Sequence, residues 1–199
     1  MGNRETKTVV SKIQLHTSIV TIEAKLKQLR TKKTNENKKK IKDIVSLLKN
    51  KNIVLAKLKM DLVIRDMRLI SACDILIHYC QTITDKITYI LTSTYPPEDI
   101  REALDTIIWS SIRLSDYINE FNSLCKSIEV LYGTVYITTI LETAEYVKSS
   151  YKDKLTLNTI DDNILTYELK KITIDNCLDI HFPEEIVFTG SMSNPFVNC

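Results

Sequence analysis

Glycine is nearly missing from this chain: three in 199 residues, at Gly2, Gly133 and Gly190. Tight turns and close backbone approaches to phosphate both rely on glycine, so neither a phosphate-cradling loop nor a dinucleotide fingerprint can be written anywhere in the sequence. Proline is almost as scarce, with four residues at Pro96, Pro97, Pro183 and Pro195. Residues 1–95 therefore contain no helix breaker beyond Gly2, which points to long helices. No stretch approaches the roughly 20 uninterrupted apolar residues that span a bilayer, and the N-terminus lacks an apolar signal core. The five cysteines (Cys73, Cys80, Cys125, Cys177, Cys199) include no C-x-x-C pair. An odd count without such spacing fits reduced thiols, and Cys73 with Cys80, seven apart, reads as packing on one helical face. The histidines His16, His78 and His181 are scattered and form no metal-ligand pattern. No nucleophile elbow or paired catalytic carboxylate stands out, so neither an enzyme nor a cofactor or metal site is expected.

What the chain does have is charge polarity. Its first 70 residues carry 18 Lys and Arg against 6 Asp and Glu, and residues 71–199 carry 9 against 19. The net charge of +2 conceals this. A basic end of this kind meets an anionic membrane, a nucleic acid or an acidic partner, or else the two halves neutralise each other in one bundle.

The apolar pattern is helical. Leu15, Ile19, Ile22, Leu26 and Leu29 recur every three or four residues, a seam on one face of a helix. The seam lapses across Thr31–Lys40, which holds five lysines, and resumes at Ile41, Ile44 and Leu48. Nothing there breaks a helix, so one helix is expected from about Val9 to Lys49. A turn is expected at Lys49-Asn50-Lys51-Asn52. A second seam, Leu55, Leu58, Leu62, Arg65, Leu69, Ala72, Leu76, Tyr79 and Ile83, runs to about Leu91 with the same spacing. Its apolar members, Leu62 and Leu69 included, are expected to be buried. Arg65 stands in this seam, where a guanidinium either snorkels to solvent or meets a carboxylate from a covering helix, and a structural ion pair rather than a binding role is expected for it.

Shorter helices follow: one or two within Glu98–Leu131, one over Val135–Ser149, a linker at Lys152–Thr159, and a last helix opened by a Thr159/Asp162 capping box and running to about Cys177. In that helix Ile164, Leu165, Leu169 and Ile172 point inward. The expected fold is all-α, a long antiparallel N-terminal hairpin covered by three to four shorter helices, with residues 1–8 as a flexible N-terminus, 9–186 as the helical domain and 187–199 as a frayed tail.

Two surface features carry function. Met1-Gly2-Asn3-Arg4-Glu5-Thr6 fits the M-G-x-x-x-S/T acylation pattern, making Gly2 a candidate myristoylation site. A single acyl chain needs a second signal, and Lys25, Lys32 and Lys39, in heptad register on the first helix, supply a basic face for an anionic membrane or for polymer contact. A nucleic-acid-binding alternative would use Thr31–Lys42. That stretch has no interleaved aromatics and no reading helix, so no nucleic acid is expected as a partner.

The segment Ala56–Cys80 (AKLKMDLVIRDMRLISACDILIHYC), with Ile64-Arg65-Asp66, Ile75-Leu76 and Tyr79-Cys80, resembles the signature helix of the increased-sodium-tolerance protein family. Its members are ESCRT-III-like regulators of Vps4-type AAA ATPases in the multivesicular body pathway. Thr106-Ile107-Ile108-Trp109 with Arg113-Leu114 is similar to a second stretch of that family, whereas Ile77-His78 and Ile112 depart from it. The resemblance implies an ESCRT-III-like bundle of cytoplasmic, peripheral endosomal location, polymerising with itself or with other ESCRT-III subunits. It also implies a partner groove at the last helix, lined by Tyr167, Leu169 and Ile172 with Lys170 and Lys171 at its rim. Gly190–Cys199 contains no acidic leucine-rich or Leu-Pro segment, so contact with an AAA ATPase bearing an MIT domain is expected only indirectly, through sister subunits.

Overall fold

A computed structural model describes residues 10–156, 158–180 and 182. Gly2, the expected flexible residues 1–8 and the expected tail 187–199 lie outside the described residues, as do His181 and Pro183. Every element among the described residues is a helix: α1 (Lys12–Lys49), α2 (Ile53–Asp85), α3 (Ile87–Thr92), α4 (Glu98–Arg113), α5 (Phe121–Tyr132), α6 (Thr134–Thr143), α7 (Ser149–Leu155) and α8 (Asp162–Asp175).

The hairpin forms where the seams predict it. With 38 residues, α1 is about 57 Å long at 1.5 Å per residue. The turn into α2 closes with Lys51 in the left-handed region at φ 56°, and the Asn52 side chain accepts from the Leu55 N–H at 3.2 Å to cap α2. The second long helix breaks at Lys86, so its expected last turn is the separate α3. Gly133, at φ 89°, turns α5 into α6 at 119°, a conformation that suits glycine.

Three local expectations are corrected. The Val135–Ser149 helix ends at Thr143, where Ala144 takes a left-handed conformation at φ 49°. Much of the expected linker is α7, because Tyr151 anchors it: the ring is buried edge-on to Trp109 at 6.1 Å, and its hydroxyl lies 2.7 Å from Ser110 Oγ. Tertiary contact overrides a weak local pattern there. The cap of α8 is Asp161, not Thr159; its carboxylate accepts from the Asn163 N–H at 2.7 Å.

Two separate apolar cores lie along the hairpin. The larger joins Leu15–Leu29 of α1 and Ala72–Ile83 of α2 to α3, α4, α5, α6 and α7. The smaller joins Ile44 and Leu48 of α1 and Ala56, Met60, Val63 and Ile64 of α2 to Ile160, Leu169 and Phe182. Between them, where the α1 seam lapses, the contact is polar. Asp66 is buried, with Lys33 Nζ at 3.0 Å and Lys40 on its other oxygen. Buried Asn37 donates to the Val63 carbonyl at 3.3 Å.

The second seam is buried only in part. From Ala72 onward it faces the core, but Leu55, Leu58 and Leu62 are 40%, 61% and 51% exposed. The proximal half of α2 instead turns Ala56, Met60 and Val63 toward α1. Both rows repeat at helical spacing, and only the ends of the covering helices decide between them. Leu26→Ala should therefore cost about 2–5 kcal/mol, as for a fully buried leucine. Leu62→Asp, at a half-exposed position, should cost less than about 1 kcal/mol. Urea unfolding of both variants checks the assignment, and a cooperative loss of fold in Leu62→Asp would return that residue to the core.

Candidate partner-binding face

The uncovered part of α2 sets out the site. The row that continues through Leu69, Ala72 and Leu76 is covered distally by α4, which packs on α2; the Tyr79 hydroxyl donates to Glu102 of α4. Beyond Arg113, where α4 ends, Leu55, Leu58 and Leu62 are left partly open to solvent, and their neighbour Val54 is also exposed. An apolar row at i, i+3 and i+7 on one helix is the footprint that a second helix fills.

At its inner end the row enters a cavity of about 530 Å³. Leu62 and Leu69 of α2, Leu114 after α4 and Leu155 of α7 form its apolar wall, and six basic side chains surround it. Several of these have partners. Arg65 pairs with Asp61 on its own helix, Nε to Oδ2 at 2.6 Å, rather than with a carboxylate from a covering helix. The hydrogen bond from Arg65 to Asp61 raises the guanidinium pKa above its ordinary value, against a smaller opposing effect of burial. Lys33 also lies 5.9 Å from the centroid of the Tyr117 ring. Burial opposes the charge of Lys33, but its hydrogen bond and attraction to Asp66, with a smaller part from Glu36, outweigh it and raise the pKa.

Lys25, Lys32 and Lys39 are exposed on α1. Lys25 lies 3.9 Å from Glu120, and the other two have no carboxylate within 4.0 Å among the described residues. The five expected groove residues of α8 do not face one way. Leu169 is fully buried against the hairpin, and Ile172 packs on the same small core. Tyr167 is 55% exposed, Lys170 is exposed, and Lys171 pairs with Glu168 at 2.8 Å. At 100° per residue, 169 and 172 share the inner face while 167, 170 and 171 share the outer one. Leu169 is core, not groove. The α2 row and the cavity were missed because the seam continues unbroken from exposed to buried. The Asp66 clamp had a signal, a carboxylate among the apolar residues of α2 opposite a lysine-rich lapse in α1.

The family described as "Ist1: Regulator of Vps4 activity in the MVB pathway" has a model that matches residues 16–178. The chain belongs to the Ist1 family. Ala56–Cys80 lies inside the matched range. An IST1-like protein of Dictyostelium discoideum is 25% identical over 162 residues, 81% of this chain and 42% of that protein. The chain thus spans less than half the length of that curated Ist1 relative. Among solved structures, the crystal structure of the S. cerevisiae Ist1 N-terminal domain in complex with a Did2 MIM motif matches with a TM-score of 0.82 at 17% identity, covering 88% of this chain and 97% of that one. The likeness establishes the ESCRT-III-like fold for this Ist1 family member.

Removing the clamp tests the centre of the site. Asp66→Ala leaves two lysines part-buried and facing each other, and should cost about 3 kcal/mol, the low end for breaking a buried pair. Asp66→Asn, which keeps hydrogen-bond acceptance, should cost less. Because the folded-state pKa of Lys33 is raised, the stabilisation it provides is fully present below the unfolded lysine value of about 10.4 and is lost as pH climbs through the higher folded value. Denaturant titrations at neutral and strongly alkaline pH should show the difference between wild type and Asp66→Ala shrink at the alkaline end.

Proposed function

We propose that this chain is a non-enzymatic, ESCRT-III-like regulator of a Vps4-type ATPase in endosomal sorting, acting by capture of a helical motif from a sister ESCRT-III subunit along the bare face of α2. The observation that carries this reading is the row Leu55, Leu58 and Leu62, apolar, partly open to solvent, and continuous with a cation-rimmed cavity. Apolar anchors in such a row supply affinity, and rim charges supply orientation and on-rate. The Did2 MIM motif bound to the S. cerevisiae Ist1 domain supports a motif of a partner protein as the class of ligand. Contact with the ATPase then follows indirectly, through the captured subunit. The acidic half of a sister copy, or of a related subunit, would favour assembly into homo- or hetero-polymers against the basic half of this one.

On this reading the protein works on the cytoplasmic face of endosomes as a peripheral component of membrane remodelling and scission. No single helix among the described residues is long and apolar enough to cross a membrane. The exposed lysines Lys25, Lys32 and Lys39 face an anionic bilayer or a neighbouring subunit, and Gly2 is the candidate acyl acceptor that would add a second attachment.

Titration of a fluorescent Did2 MIM peptide tests the partner face. Leu58→Asp and Leu62→Asp should each weaken binding about tenfold or more, as loss of an anchor does, while the outer α8 variants Tyr167→Ala and Lys170→Glu/Lys171→Glu leave it within about twofold of wild type. The opposite ranking would move the site to α8. Sedimentation with anionic vesicles tests the basic face separately. Lys25→Glu/Lys32→Glu/Lys39→Glu should lose binding, since each basic residue near such a surface contributes about 1 kcal/mol, and raised salt should weaken the wild type in parallel. Full sedimentation of the triple variant would leave those lysines to subunit contacts.

A further inference from the structure

The cavity at the end of the α2 row holds more positive charge than its surroundings neutralise. Lys33, Lys40, Arg65, Arg68, Arg113 and Lys154 line it, against the carboxylates of Asp66 and Asp116. Asp66 is held by Lys33 and Lys40, and Arg65 by Asp61. Arg68 of α2, Arg113 of α4 and Lys154 of α7 remain: three cations from three elements, none with a carboxylate within 4.0 Å among the described residues. Cations brought together without counter-charge repel one another, and the fold itself has to sustain that arrangement.

The setting strengthens whatever anion arrives. The leucine wall excludes water from one side, and charge–charge attraction grows as the local dielectric falls. Arg113 is already fixed in place. Its guanidinium stacks 3.5 Å from the Trp109 ring centroid, and its Nη1 donates to the Trp109 carbonyl at 2.9 Å. A pre-organised donor loses little freedom on binding. Tyr117 and Thr156 add hydroxyls to the lining. A volume of about 530 Å³ matches a small-molecule site. One or two carboxylates from a peptide helix would leave much of this charge unmet. Several phosphates on a compact ring would meet it, with the planar forks of Arg68 and Arg113 suited to bidentate phosphate contacts.

We propose that this cavity binds a compact polyphosphate of the inositol-phosphate class, presented either free in solution or as a phosphoinositide headgroup. The site does not depend on a partner helix lying along Leu55–Leu62, so its test can fail or succeed apart from that reading.

Calorimetric titration of the full chain with inositol hexakisphosphate should give saturable binding with one site per chain. Arg68→Gln/Lys154→Gln should weaken it about tenfold or more, as loss of charge-assisted hydrogen bonds does. Lys25→Gln/Lys32→Gln/Lys39→Gln removes more charge from α1 positions outside the cavity lining and should change affinity less than about threefold. Arg113→Gln also loses the Trp109 stack, so its melting temperature is read beside its affinity, and the α2/α7 double variant carries the test if it unfolds. Vesicles containing phosphatidylinositol bisphosphate, compared with phosphatidylserine vesicles of equal charge, separate the sources. Preference for the former assigns the lipid headgroup, and binding of the free compound alone assigns the soluble one. The proposal is overturned if neither ligand saturates, if the α1 triple variant loses as much affinity as the double, or if only acidic peptides bind through Arg68 and Lys154.

Discussion

Midway along the hairpin the Asp66 carboxylate is gripped by Lys33 on one oxygen and Lys40 on the other, with Asn37 of the same α1 stretch tied to the α2 backbone. These residues interrupt an otherwise apolar contact between two very long helices. Leucines in their place would make one continuous seam, which could slide by a heptad at little cost. A buried carboxylate that must meet two particular ammonium groups permits one register. Everything packed on the hairpin inherits that register: which leucines of α2 meet α4, where α8 seats Leu169, and which apolar row is left facing water. Asn37 Oδ1 in the same layer is among the buried polar atoms of the described residues that have no hydrogen-bond partner.

The helices themselves were legible because the repeat of three and four residues is a local property. Leu15 through Leu29 and Ala72 through Ile83 landed on the inner face as their spacing implied. The exposure of Leu55, Leu58 and Leu62 was not legible, since a helix carries no local record of where its neighbour stops. The same reason explains α7. Its residues have no strong pattern of their own, and the helix exists because Tyr151 reaches Trp109 and Ser110 some forty residues away. For α8 the inward set Ile164, Leu165, Leu169 and Ile172 was readable from periodicity. A groove drawn across both faces of that helix asked Leu169 to point in two directions.

Opposite charge in the two halves of the chain also has a structural account. Several cross-links join the basic first 70 residues to the acidic remainder, among them Lys57–Asp162, Arg30–Asp74 and Lys25–Glu120. All involve side chains open to solvent, so each contributes little to stability and is weakened by salt. Neutralisation within the bundle is therefore partial. The lysines left over on α1 and the cations around the cavity are the surplus.

Cys73 and Cys80 stand two turns apart on the buried side of α2, with burial pushing both thiols up to about 12. Seven residues of helix separate them by about 10.5 Å along the axis, too far for a disulfide to bridge without unwinding α2. Held protonated and away from solvent, they are inert while the bundle is closed. A thiol reagent can reach them only when the packing around this part of α2 opens, so their rate of modification reports how often it does. Two ordinary packing residues thus serve as a native clock for the breathing of the larger core.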